Sequence, residues 1–153
     1  MTSVPASATG SRTGGAPRVS ALAVFLVVSI ALPFIFLPME ASWGHLVFHL
    51  LGIVTCVFGI ALLRGTRATS ASRTVRVMTW VVTAAATGWL IGHIGELSVV
   101  LTHGGAHADQ HVFEHPVHSA FATIAVPSWM LTAITTLILL VTLGVQALRR
   151  RTR

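Results

Sequence analysis

The sequence predicts an all-α integral membrane protein, a four-transmembrane-helix bundle with both termini cytoplasmic. Three observations carry that prediction. Of the 153 residues, 54% are hydrophobic and only 9% charged, and the mean hydropathy is +0.81, well above that of a soluble domain. Four apolar stretches, Val19 to Leu37, Trp43 to Leu63, Val77 to Leu101 and Ala120 to Leu148, approach or exceed the roughly 20 residues with which a helix crosses a bilayer. The charges, finally, are sorted by sign along the chain. What lies outside the four stretches is too short and too divided to bury a core of its own. A water-soluble enzyme domain is thereby excluded, and any chemistry belongs inside the bundle or at its mouth.

The charge sorting gives the orientation. All ten basic residues are arginines: Arg12 and Arg18 before the first stretch, Arg64, Arg67, Arg73 and Arg76 between the second and third, and Arg149, Arg150, Arg151 and Arg153 after the fourth. This is the positive-inside pattern, which puts both termini and the second connection in the cytoplasm. It accounts for the net charge of +6 without nucleic acid, and it makes the lipid bilayer the first partner, anionic headgroups included. The four acids, Glu40, Glu96, Asp109 and Glu114, then all fall in the outer half. Reliance on arginine with no lysine points to a GC-rich bacterial genome, and so to the plasma (inner) membrane.

Taken in order, residues 1–18 are rich in Ser, Thr, Gly, Ala and Pro and read as a disordered cytoplasmic tail. The apolar run at 19–37 is longer than the core of a signal peptide, and Met39-Glu40-Ala41 is a poor cleavage site; the run is a true span, bent near its end by Pro33. Pro38 and a few following residues allow only a tight antiparallel hairpin into 43–63. In this second span His45, His49, Gly52, Cys56 and Gly59 follow one another at spacings of four, three, four and three. Such a seam faces the bundle, since small residues let helices approach closely in lipid. Cys56, the only cysteine, lies mid-span as a packing thiol with no partner for an intramolecular disulfide.

The connection from Arg64 to Arg76 reads as a polar, flexible loop. The third span, 77–101, carries two ridges, His93 with Glu96 on one side and Gly88, Gly92 and Gly95 roughly opposite; which of them meets the second span is left open. Residues 102–118 form an outer loop with five of the eight histidines, His103, His107, His111, His115 and His118. The glycines at 104 and 105 and Pro116 confine any helix there to about Ala106 to Phe113. Pro116 suits the first position of the fourth helix, whose span is 120–148, and 149–153 is a basic cytoplasmic tail. Trp80, Trp89 and Trp129 read as packing or interface residues.

A carboxylate within the hydrocarbon is costly unless it faces an interior with a partner. Counting at roughly 1.5 Å per residue, His49 and His93 lie at similar depth and Glu96 is level with the region between His45 and His49. Neutral imidazoles with a carboxylate suit copper, zinc or iron, so the leading expectation is a metal site at the outer face made by His45, His49, His93, Glu96, His115 and His118, serving metal handling or a metal-dependent oxidation. Two other readings fit the same residues. A b-type haem held between His49 and His93 would make an electron-transfer subunit. An accessory or assembly subunit without a cofactor would use the glycine ridges against a membrane-protein partner or a second copy, with the histidines as pH sensors. The sequence does not decide whether the protein is an enzyme.

Overall fold

The computed structural model describes residues 16–36, 43–102 and 115–152. They form four helices: α1 (Ala16–Phe36), α2 (Trp43–Thr69), α3 (Arg73–Thr102) and α4 (Pro116–Arg151). All four are long and apolar enough to cross a membrane, and there is no strand among the described residues. Of the tail expected at 1–18, residues 16–18 belong to α1, while 1–15, 37–42 and the histidine-rich stretch 103–114 lie outside the described residues.

Every helix runs past its apolar stretch. The loop expected from Arg64 to Arg76 is reduced to residues 70–72, because hydropathy marks the part of a helix that lipid tolerates, not the helix itself, and arginine is a good helix former. Ser72 caps α3, its hydroxyl accepting from the Val75 N–H at 3.5 Å. Arg67 at the end of α2 lies 3.9 Å over the Trp80 ring of α3, and Arg18 of α1 donates to the Thr69 hydroxyl of α2. At the other boundary Pro116 opens α4, with His115 as its N-cap.

Neighbours in sequence are neighbours in space. α1 packs on α2 and α4, and α3 packs on the same two, most extensively on α4; the diagonals make little contact. Pairs such as Arg18 with Thr69, Phe36 with Phe48 and Gln146 with Ser72 show each helix antiparallel to the next. Three apolar layers stack along the bundle. Leu22, Leu63, Val75, Val82 and Leu139 fill the arginine-rich end; Cys56, Trp89 and Ala125 fill the middle; Val99 and Val100 with Leu46 lie at the far end. Large apolar side chains such as Val27, Phe34, Val54 and Leu137 cover the outside, in keeping with four helices long and apolar enough to cross a membrane.

The glycine ridges settle how α3 is turned. Gly88, Gly92 and Gly95 meet Ser128, Ala125 and Phe121 of α4, while Gly52 of α2 meets the His93 ring. The glycine face of α3 thus serves α4, and its histidine face serves α2.

Pro33 sits inside α1 and has no N–H to give the carbonyl of Ser29, four residues back. The indole N–H of Trp129 on α4 donates to that carbonyl at 2.8 Å, a neighbouring helix making good a backbone bond that proline removes. Trp129→Phe should leave the carbonyl bare and cost about 1–3 kcal/mol. Pro33→Ala restores an intrahelical donor and should cancel most of that loss in the double variant. Unfolding of the four proteins in detergent gives the coupling, and simple additivity would refute the pairing.

Candidate metal centre

The α2 seam is buried at His49, Gly52, Cys56 and Gly59 and continues through Leu63 and Thr66. This places His45 and His49, one turn apart, on the side facing α3. From α3, His93 and Glu96 turn toward them, three residues apart on one face. From α4, His118 completes the group in the first turn of the helix. His49 is fully buried, His93, Glu96 and His118 are buried, and His45 is half-buried at the rim.

The polar atoms meet at short range. His49 Nε2 is 2.9 Å from His45 Nε2 and 3.6 Å from Glu96 Oε2. Glu96 Oε2 is also 3.6 Å from His118 Nε2, and the His45 and His118 rings lie 5.6 Å apart between centroids. One ligand atom from each of His45, His49 and His118 falls within 4.8 Å of the others. With metal–nitrogen bonds of about 2.0–2.1 Å, the corners of a tetrahedral site stand roughly 3.4 Å apart, so separations of 2.9 and 3.6 Å need shifts of a few tenths of an ångström, and the spread of up to 4.8 Å among the three histidines a closing of at most about 1.4 Å.

His93 takes a different position. Its Nδ1 lies 3.0 Å from His49 Nδ1, on the side of the His49 ring away from Glu96. A hydrogen bond between two ring nitrogens needs one N–H and one bare nitrogen. If His49 Nε2 is the bare, ligating nitrogen, its Nδ1–H donates to His93 Nδ1, and the His93 proton is then on Nε2. Phe48 and Trp89 hold the His93 ring, at centroid distances of 5.0 and 5.2 Å, and its Nε2 has no hydrogen-bond partner among the described residues. A Cβ at Gly52 would overlap that ring, so only glycine leaves His93 room beside α2.

The sequence-predicted residues therefore divide. His45, His49, His118 and Glu96 converge, and His93 stands behind His49. His115 accepts from the Val117 N–H at 3.3 Å and so caps α4; it is not among the three histidines whose ligand atoms lie within 4.8 Å of one another. Phe48 was missed by sequence reasoning; it touches both His49 and His93 and reaches Phe36 of α1 at 6.1 Å, sealing the site toward α1. Its place one residue before His49, beside the seam, is the signal that was there to be read.

Comparison with protein-family models, curated proteins and solved structures finds no match to this chain.

Proposed function

We propose that the protein is a multi-pass plasma (inner) membrane protein, both termini cytoplasmic, that holds one transition-metal ion at its outer end. His45, His49 and His118 supply neutral imidazole nitrogens, Glu96 supplies a carboxylate oxygen, and His93 orients His49. The observation that carries this reading is that ligand atoms of His45, His49 and His118 lie within 4.8 Å of one another, with Glu96 of a third helix 3.6 Å from both His49 and His118. Three nitrogens and one oxygen suit zinc, copper or iron. Four protein donors leave no open position for a substrate, which favours holding and passing on the metal over a metal-dependent oxidation. The bond from His49 Nδ1 to a buried acceptor is the outer-shell arrangement that fixes the tautomer of a ligating histidine.

Haem has less support. Axial nitrogens stand on opposite faces of a porphyrin, whereas those of His49 and His93 are in direct contact at 3.0 Å. The orientation rests on the arginines, which cap α2, α3 and α4 at the end opposite the histidines.

Untagged protein purified in mild detergent after growth with added metals should carry near-stoichiometric zinc, copper or iron by elemental mass spectrometry. The His49→Ala, His118→Ala variant should carry almost none. Iron accompanied by a visible haem band would move the case to haem, and metal-free wild type would return it to an accessory or pH-sensing subunit. Retention in membranes after a carbonate wash tests the bilayer reading separately.

A further inference from the structure

At the arginine-rich end, the turn between α2 and α3 and the last turns of α4 enclose a cleft of about 360 Å³ lined by Ala71, Ser72, Gln146, Arg149 and Arg150 and open to the outside of the bundle. Its volume is at the lower end of ligand-sized pockets, roughly 300–1,000 Å³. The cleft is built rather than accidental, because Gln146 donates to the Ser72 hydroxyl at 3.1 Å and so ties α4 to the cap of α3. The first N–H groups of α3, the positive end of a 30-residue helix, lie at the same place.

Among the described residues no acidic side chain lies beside the two guanidinium groups. Glu96, the one acidic residue among those described, is near the opposite end of α3. With Arg149 and Arg150 in its wall and no described acidic side chain beside them, the cleft suits an anion. Beside it on α4 the exposed surface turns apolar at once, with Val145 at 41% and Leu148 at 64% exposure. A ligand matching both halves has an anionic head with paired donors at its oxygens, and apolar tails next to it.

We propose that this cleft binds the phosphate of an anionic phospholipid headgroup, with the acyl chains lying along α4. The site is independent of the metal centre at the other end and rests only on the bilayer reading, which the carbonate wash tests.

The full chain in neutral detergent, titrated with phosphatidylglycerol, phosphatidylcholine or inorganic phosphate and followed by native mass spectrometry, provides the test. Phosphatidylglycerol should bind as one saturable equivalent. Arg149→Gln with Arg150→Gln should weaken it about 25-fold, at about fivefold per arginine. Arg64→Gln with Arg151→Gln removes the same charge from the same end and should leave the affinity within about twofold at physiological salt. Equal losses in the two double variants would mean a diffuse field and overturn the site. Equal binding of phosphatidylcholine, or of inorganic phosphate, would overturn the lipid headgroup as its ligand.

Discussion

Gly92→Leu is expected to prevent the bundle from closing, and Gly92→Ala to cost about 1–3 kcal/mol, the range for forcing extra atoms into a packed interface. A Cβ at Gly92 would stand 2.5 Å from the Cβ of Ala125 and 2.8 Å from its Cα. Both are atoms of a neighbouring helix with no rotamer to turn away, so the only response is to move α4 off α3. Those two helices form the largest interface in the protein. Parting them also carries His118 away from Glu96, so the variant should lose metal along with stability. Gly144 provides the control, since nothing lies within 4 Å of a Cβ built there. Gly144→Ala should be neutral or stabilising by up to about 1 kcal/mol, from helix propensity alone. Thermal unfolding in detergent reads all three, and a Gly92→Ala protein as stable as Gly144→Ala would show that the α3–α4 contact is looser than described.

The same interface marks the boundary of what the sequence could tell. The α2 seam was legible because histidine, glycine and cysteine at alternating spacings of four and three stand out against leucine, isoleucine and valine, and the residues so marked at 49, 52, 56 and 59 are the ones buried. On α3 the same method gave two ridges and no choice. Hydropathy ranks faces by their preference for lipid, and both faces of α3 avoid lipid; it is the least apolar of the four helices and the most buried. Partner choice there rests on shape, with Gly92 fitting against Ala125 and His93 fitting against Gly52. Shape across a helix pair is not written in the spacing of either helix.

The candidate site was legible to a similar depth. The rise per residue puts His49 and His93 at one level, and their rings do meet. Depth alone cannot rank the two, and nothing in the spacing shows that His93 stands behind His49 while His118 comes to the front. His118 follows a long connection, and its position depends on Pro116 starting α4 where it does. The link between Pro33 and Trp129 was out of reach for the same reason: a carbonyl freed by proline is predictable, but the donor that finds it lies 100 residues farther along the chain.

The largest effect on binding should come from His49, and the comparison with His93 separates the proposed roles. His49→Ala removes a donor at the centre of the group, 2.9 Å from His45 Nε2 and 3.6 Å from Glu96 Oε2, and it also removes the ring nitrogen that meets His93 Nδ1. Its loss of metal affinity should exceed the roughly 10–100-fold that removal of an outer-shell partner brings. His93→Leu should fall inside that range, because the four ligands remain and only the acceptor for His49 Nδ1–H is lost. His93→Gln offers a side-chain oxygen to the same N–H and should recover part of the affinity that His93→Leu loses, which a purely packing role for His93 would not produce. Cobalt(II) in place of the native ion supplies a spectroscopic readout of the ligand set. The visible bands should keep their positions in both His93 variants and shift in His49→Ala, where a nitrogen has left the shell. A band shift in His93→Leu equal to that in His49→Ala would make His93 a direct ligand, and the site would then be centred between the two rings instead of between His49 and Glu96.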